Sequence, residues 1–152
     1  MTTLNIGDKA PDFKGIDQNE DEIQLSDFKG KKIVLFFYPK ASTPGCTMEA
    51  KNLRDNYEAF LEKGYAIVGV SADSVKRQFN FATKNELQYS LIADEDKTIL
   101  NAYGVWGPKK FMGREFDGIH RTTFIIDENG KIEDIIKKVK TKQHTEQIFG
   151  EL

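Results

Sequence analysis

The sequence contains 152 residues, of which 39% are hydrophobic, and this length and composition predict one domain, residues 1–152, with a substantial core. The formal charge is −2, with 22 basic and 24 acidic residues interspersed, which argues against nucleic acid or an anionic membrane as a partner. The amino terminus lacks a basic start and an apolar stretch, and no apolar run approaches the ~20 residues that span a bilayer. We therefore expect a cytoplasmic protein.

The first half of the chain alternates predicted strands with one long predicted helix. Residues 11–25 form two short patterned runs around a polar turn, which predicts a β-hairpin. Residues 33–38 are all apolar or aromatic, as in a central strand that is covered on both faces. A helical pattern follows Cys46, with apolar residues spaced by three and four, and it ends near Gly64. Residues 65–71 predict a second buried strand.

The second half of the chain completes a βαβ pattern and then changes to an antiparallel one. The predicted elements are a helix at 74–85, a strand at 90–93, a helix at 95–103, a glycine-containing loop at 106–118, strands at 119–126 and 131–137, and a closing helix at 142–151. A tight turn at Asn129-Gly130 is expected to join the last two strands. The sequence therefore predicts an α/β protein with a central mixed β-sheet flanked by helices and an N-terminal β-hairpin, an order that resembles the thioredoxin fold.

The only cysteine, Cys46, lies where the strand at 33–38 turns into the long helix. Thr43 is a good N-cap residue and Pro44 is a favoured first helical residue, so Cys46 is expected to be the third residue of the helix. Its sulfur then lies among backbone N–H groups that have no helical partner. Their partial positive charge favours the thiolate, which is the nucleophilic form of cysteine. The pattern therefore predicts a reactive thiol.

Several spaced motifs of the chain resemble those of the peroxiredoxins. Pro39, Thr43 and Cys46 match the Pro-x-x-x-Thr-x-x-Cys active-site pattern of that family. Residues 103–107 and 118–127 look like the later signature of its bacterioferritin comigratory, or peroxiredoxin Q, branch. The resemblance covers nearly the whole chain. It implies a thiol-dependent peroxidase of antioxidant defence that reduces hydrogen peroxide and organic hydroperoxides through a sulfenic acid on Cys46.

The resemblance also implies five catalytic residues whose chemistry suits this reaction: Cys46, Thr43, Arg121, Pro39 and Glu49. The guanidinium of Arg121 can stabilise the thiolate and donate hydrogen bonds to the peroxide oxygens. The Thr43 hydroxyl can accept a hydrogen bond from the peroxide, and the Pro39 ring can shield the sulfur from water. Glu49, one helical turn after Cys46, is expected to hold Arg121 or a neighbouring arginine by a charged hydrogen bond.

The two histidines and several aromatic residues have weaker claims to a role at the site. Arg121 is expected to lie within the strand at 119–126, and His120 then points away from it, because neighbouring residues of a strand face opposite ways. His144 lies in the polar last helix and is expected to be exposed to solvent. Three aromatic residues could line the pocket or a surface that binds the reductant, and core packing explains them equally well: Trp106, Phe111 and Tyr38.

The single cysteine determines how an oxidised sulfur could be recycled. Many members of this branch carry a resolving cysteine five residues after the reactive one, where this chain has Lys51, and others carry it in the next helix, where this chain has none. The resemblance therefore implies a one-cysteine type, in which a sulfenic acid on Cys46 reacts with an external thiol. That thiol could be thioredoxin, glutaredoxin or a low-molecular-weight thiol such as glutathione.

Two alternatives to the enzyme stay open at this stage. One is a redox sensor or interaction protein that forms a mixed disulfide through Cys46, and the other is a thioredoxin-like domain whose thiol is inert. No metal, flavin or nicotinamide motif is present, and one thiol with two histidines makes a poor zinc site, so no cofactor is expected. The chain has no long carboxy-terminal arm of the kind that builds peroxiredoxin rings, so a monomer or weak homodimer is expected.

Overall fold

The computed structural model of the chain describes residues 2–152, which contain nine strands and five α-helices. The strands are β1 (Lys14–Ile16), β2 (Glu22–Gln24), β3 (Lys32–Phe37), β4 (Tyr65–Ser71), β5 (Ser90–Ala93), β6 (Trp106–Phe111), β7 (Arg114–Ile119), β8 (Thr122–Ile126) and β9 (Ile132–Ile136). The helices are α1 (Pro44–Asp55), α2 (Tyr57–Glu62), α3 (Val75–Lys84), α4 (Thr98–Ala102) and α5 (His144–Ile148). Among the described residues, no helix is long and apolar enough to cross a membrane.

Five of the strands form one central mixed sheet, in the order β5-β4-β3-β8-β9. Strands β3, β4 and β5 are parallel, whereas β8 is antiparallel to β3 and β9 is antiparallel to β8. Strands β1 and β2 form the N-terminal hairpin that the sequence predicts. The predicted mixed sheet with helices around it is therefore confirmed.

Strand β3 lies at the centre of the sheet because both of its faces are apolar. Ile33, Leu35 and Phe37 pack into one core cluster, and Val34 and Phe36 pack into a second cluster on the opposite face. All five side chains are at most 1% exposed. Helices α1, α2 and α3 contribute to the second cluster and α4 to the first, so helices flank the sheet on both sides. The sheet thus provides a rigid base for the turn that follows β3.

The helix that follows Cys46 is divided in two, so the prediction of a single long helix is wrong. Asn56 separates α1 from α2 with φ −111° and ψ 15°, and its side-chain amide donates to the Asn52 carbonyl at 2.8 Å. A side chain that bonds to nearby backbone in this way competes with helical bonding. The apolar spacing persists across the break because Phe60 of α2 still packs into the same cluster as α1.

Residues 106–118, predicted as a loop, instead form most of a β-hairpin made of β6 and β7. Its turn is Met112-Gly113, and both residues have positive φ, 51° and 78°, as a two-residue hairpin turn requires. The sequence hides these strands because most of their residues are exposed, so they show no apolar alternation. Trp106 packs against the core, whereas Phe111 is 67% exposed.

The start of β8 and the position of α5 also differ from the prediction. Strand β8 begins at Thr122, so Arg121 lies just before it, and the prediction that Arg121 belongs to the strand is wrong. Helix α5 is shorter than predicted and is tied to α1, because the Thr145 N–H donates to Asn52 Oδ1 at 2.8 Å and the Asn52 amide donates to the Lys142 carbonyl at 3.0 Å. These contacts bring the carboxy-terminal segment to the helix that carries Cys46.

Candidate active site

The loop between β3 and α1 places Cys46 in the first turn of a helix. Pro44 is the first residue of α1 and Cys46 the third, as predicted. The preceding loop is anchored by the Asp73 carboxylate, which accepts hydrogen bonds from the Ala41 N–H at 2.8 Å and from the Ser71 hydroxyl at 2.7 Å. The position of the sulfur is therefore set by the sheet through strand β4, which ends at Ser71.

Thr43 occupies the N-cap position of α1 with an extended backbone, but its side chain does not cap the helix. The Thr43 hydroxyl instead donates to the Lys40 carbonyl at 2.7 Å, so the expected N-cap interaction is wrong. The cause is the loop geometry, which turns the hydroxyl back toward Lys40. Because its proton is committed to that carbonyl, the oxygen keeps its lone pairs for a donor that approaches from elsewhere.

A guanidinium joins the sulfur to a buried carboxylate. Arg121 Nη2 lies 3.3 Å from Cys46 Sγ, and Nη1 donates to Glu49 Oε1 at 2.6 Å. Cys46 and Glu49 are completely buried, and the Arg121 side chain is 22% exposed. Burial lowers the pKa of Arg121, but the attraction of Glu49 and Cys46 outweighs it and raises that pKa above its ordinary value. Gly45 permits the close approach, because a Cβ there would lie 3.2 Å from Arg121 Nη2.

Glu49 can be neutral or ionised near pH 7. Its complete burial raises its pKa and the Arg121 guanidinium lowers it, with a net rise from 4.5 to about 7. Its second oxygen, Oε2, has no hydrogen-bond partner among the described residues and lies 3.5 Å from His144 Nε2. Glu49 is therefore held on one oxygen by a cation and faces an imidazole with the other.

His144 belongs to this buried cluster, so the prediction that it is exposed to solvent is wrong. Its Nδ1 lies 2.9 Å from Gln147 Oε1 and its Nε2 lies 2.8 Å from Thr123 Oγ1. Because an amide oxygen only accepts, we assign the ring proton to Nδ1, and Nε2 then accepts from the Thr123 hydroxyl. Burial lowers the pKa of His144 to about 4, so the ring is neutral at pH 7. The sequence carries no signal for this position, because a helix of 5 residues shows no amphipathic period.

When Cys46 is a thiolate, the net charge of the cluster depends on whether Glu49 is protonated. A thiolate on Cys46, the Arg121 cation and an ionised Glu49 together carry one net negative charge, and protonation of Glu49 makes the set neutral. Buried sites favour the neutral combination, so the site can hold a thiolate without excess charge when Glu49 is protonated. The arrangement places the sulfur beside a fixed positive group, which would stabilise negative charge on the sulfur.

The structure joins three of the five predicted site residues through direct contacts: Cys46, Arg121 and Glu49. The other two lie in the preceding loop. Thr43 is three residues before the sulfur, and half-buried Pro39 lines a shallow recess together with Trp106 of the β6–β7 hairpin. Neither side chain makes a hydrogen bond to Sγ among the described residues.

The remaining residues that the sequence singles out make no hydrogen bond to the sulfur among the described residues. His120 places Nε2 at 2.9 Å from the Pro108 carbonyl oxygen. Tyr38 is a core residue, completely buried, and its hydroxyl is hydrogen-bonded to Gln78. Of the two alternatives for Tyr38, the structure shows packing in the core.

Comparison with known proteins assigns the chain to a family. The sequence model of the AhpC/TSA family matches residues 6–135. Peroxiredoxin Bcp of Escherichia coli strain K12 is 42% identical over 150 residues, which cover 99% of this chain and 96% of that protein. The chain is a peroxiredoxin of the AhpC/TSA family. Membership of this family makes the protein a thiol-dependent peroxidase, an enzyme that uses a peroxide as substrate and a thiol as reductant.

Solved structures agree with this peroxiredoxin in fold. A cysteine-to-serine mutant of PrxQ from Xylella fastidiosa gives a TM-score of 0.92 at 28% identity, and the match covers 99% of this chain and 96% of that one. The bacterioferritin comigratory protein of Xanthomonas campestris, described for its alkyl peroxide reduction activity, gives 0.87 at 30% identity, over 99% and 96% of the two chains. The predicted resemblance to the bacterioferritin comigratory and peroxiredoxin Q branch, and to the thioredoxin fold, is confirmed.

Proposed function

We propose that this peroxiredoxin reduces hydrogen peroxide and organic hydroperoxides, in antioxidant defence, by direct attack of the Cys46 thiolate. The observation that carries the proposal is the Arg121 guanidinium, which contacts Cys46 Sγ with one nitrogen and Glu49 with another. It stabilises a negative charge on sulfur and is itself fixed by a buried partner. The alkyl peroxide reduction described for the Xanthomonas protein supports organic hydroperoxides as substrates.

The proposed step transfers one oxygen to sulfur. The thiolate attacks one peroxide oxygen, the S–O bond forms and the O–O bond breaks, so sulfur becomes a sulfenic acid and is oxidised by two electrons. The other oxygen leaves as hydroxide or alkoxide and takes up a proton to become water or an alcohol. Arg121 and the Cys46 N–H donate hydrogen bonds to the oxygens on which charge develops.

Two loop residues complete the proposed site. The Thr43 hydroxyl accepts the hydrogen bond of the peroxide O–H, a role that suits it because its own proton is donated to the Lys40 carbonyl. Pro39 has no N–H and presents its ring as an apolar wall, which limits water near the sulfur. Glu49 holds the guanidinium in place rather than touching the peroxide.

The sulfenic acid is reduced by an external thiol in this proposal. The chain has one cysteine, and the position five residues after it is the exposed Lys51, so no second thiol exists to form an internal disulfide. Thioredoxin, glutaredoxin or a low-molecular-weight thiol would supply the electrons. One molecule of such a thiol forms a mixed disulfide with Cys46, and a second thiol releases the enzyme.

The test is steady-state consumption of hydrogen peroxide with each reductant in turn. The wild-type chain is expected to turn over many times, and Cys46→Ser is expected to be inactive. Full turnover by Cys46→Ser would overturn the proposal. The redox-sensor alternative is separated by the same experiment, because a sensor reacts once and then stalls in the presence of ordinary reductants.

A further inference from the structure

A cavity with a positively charged wall lies beside Arg121, the residue whose guanidinium contacts Cys46. Its volume is about 420 Å³, and it is formed by the N-terminal segment, the β6–β7 hairpin, the start of β8 and the residues that follow β9. Five of its lining residues are basic: Lys109, His120, Arg121, Lys137 and Lys138. None of the described residues that line it is acidic. The cavity is therefore built to receive an anion.

The three lysines of this wall are not paired with an acidic residue of the described chain, whereas Arg121 is paired with Glu49. In the part of the chain that the structure describes, Lys109, Lys137 and Lys138 take part in no ion pair. The Lys109 ammonium is held inward by donation to the Ile119 carbonyl at 2.8 Å. Burial is the main cause that lowers the pKa of Lys109, and repulsion by the neighbouring Arg121 guanidinium lowers it further. A bound anion would relieve this repulsion.

One residue, Arg121, both lines the cavity and contacts the sulfur of Cys46. Arg121 lines the cavity, and its Nη2 lies 3.3 Å from Cys46 Sγ. Lys137 and Lys138, which begin the most basic stretch of the sequence, reach the same cavity from the end of β9. A small anion held there therefore lies next to the group that contacts the sulfur.

We propose that this cavity binds the carboxylate groups of a small thiol of the glutathione type, which reduces the sulfenic acid on Cys46. The inference rests on the proposed function and names its reductant. Ammonium and guanidinium groups pair well with carboxylates, and the volume falls in the range of about 300–1,000 Å³ that is typical of small-molecule sites. Among the described residues of the lining Val139 is the one aliphatic side chain, so they offer the alkyl chain of a lipid hydroperoxide little aliphatic surface.

The reduction takes place in two balanced steps. The thiol sulfur attacks the sulfenic sulfur, the S–S bond of a mixed disulfide forms, and the S–O bond breaks to release water with the thiol proton. A second thiol then attacks the mixed disulfide, which releases a symmetric disulfide and returns Cys46 to the thiol, so two thiols supply two electrons. Because Cys46 is completely buried in the reduced protein, the sulfenic acid must first become accessible to the thiol in the cavity.

A charge-matched pair of variants tests the proposal. Lys137→Glu with Lys138→Glu reverses two charges on the cavity wall, and Lys140→Glu with Lys142→Glu reverses two exposed charges of the same basic stretch outside the cavity. Each protein is first oxidised with one equivalent of hydrogen peroxide, and sulfenic acid formation is verified by intact mass. This first step reports on the proposed function, and only the second step, reduction by a thiol, reports on the cavity.

The second step compares glutathione with its diethyl ester, which has no free carboxylate. The Lys137/Lys138 variant is expected to be reduced by glutathione about tenfold more slowly than wild type, with the diethyl ester unaffected and the Lys140/Lys142 variant like wild type. Equal rates for all three proteins would overturn the proposal. So would a defect confined to oxidation by linoleic acid hydroperoxide and absent for its methyl ester, because the cavity would then recognise the peroxide.

Direct binding provides a test that does not depend on sulfur chemistry. S-methylglutathione has both carboxylates and no thiol, and it is titrated into the reduced wild-type protein by nuclear magnetic resonance. We expect amide shifts at residues 120–122 and 137–139 that saturate and that disappear in the Lys137/Lys138 variant. Absence of these shifts in the wild-type protein would contradict the proposal even if Cys46 were an active peroxidase.

Discussion

Glu49 and His144 should control the pH dependence of stability in opposite directions, and two variants separate them: Glu49→Gln and His144→Gln. In the folded protein the pair carries one proton on Glu49, whose pKa is raised to about 7, rather than on His144, whose pKa is lowered to about 4. In the unfolded chain the ordinary values of 4.5 and 6.5 apply, so between these two pH values the proton is on His144 instead. Each state of the wild-type pair therefore binds about one proton.

The magnitudes follow from these pKa values. The contribution of Glu49 is most favourable below pH 4.5 and is lost as the pH rises to 7, a change of about 3 kcal/mol. The contribution of His144 is most favourable above pH 6.5 and is lost as the pH falls to 4, again a change of about 3 kcal/mol. The two contributions change the free energy of unfolding in opposite directions as the pH rises. The pair therefore gives the wild-type protein almost no pH dependence of stability between pH 4.5 and 6.5.

Urea unfolding at pH 4.5, 5.5 and 6.5 measures the effect. Relative to wild type, Glu49→Gln should gain about 2 kcal/mol of unfolding free energy as the pH rises over this range, because only the His144 slope is left. His144→Gln should lose about the same amount, and the double variant should be flat. The exposed Glu58→Gln serves as a control with no effect on the slope. Single variants with the wild-type pH profile would refute the assignment of the proton to Glu49.

Three further substitutions test the proposed chemistry of the site. Arg121→Ala should slow the stopped-flow reaction with hydrogen peroxide by about 100- to 1,000-fold, since it removes the donor to the sulfur and the leaving oxygen, and a rate within threefold of wild type would exclude Arg121 from the site. Thr43→Val should slow the same reaction by about tenfold while Thr43→Ser stays near wild type, and equal rates would show that the hydroxyl is not used. Lys51→Cys should convert the peroxide product from a sulfenic acid to an internal disulfide, detected as a loss of two hydrogens by intact mass; a product that still carries the added oxygen would contradict this.

The parts of the fold that the sequence predicts well are those with both faces buried. Residues 33–38 are apolar throughout because β3 has a core cluster on each side. The predicted bounds of β4, residues 65–71, agree with the structure for the same reason. The sequence does not predict the β6–β7 hairpin, because its exposed residues carry no periodic apolar signal. The division of α1 from α2 depends on one local hydrogen bond of Asn56, which the apolar spacing does not record.

The site could be predicted only where a local pattern or a family motif marks it. Cys46 is visible from its helix-start position, and Arg121 and Glu49 follow from the resemblance to peroxiredoxins, although Arg121 lies before its strand rather than within it. His144 could not be found, because its contact with Glu49 depends on how α5 packs against α1. The roles of Pro39 and Thr43, and the single-domain organisation, stay predictions.

The central claim is that Cys46 is a thiol that peroxide oxidises and an external thiol restores. Its most direct test is the mass of the intact protein after one equivalent of hydrogen peroxide, before and after addition of glutathione or reduced thioredoxin. The account predicts a rapid gain of one oxygen at Cys46 and a return to the starting mass with at least one reductant. A Cys46 that stays reduced, or that oxidises only at the slow rate of an ordinary thiol, would contradict it.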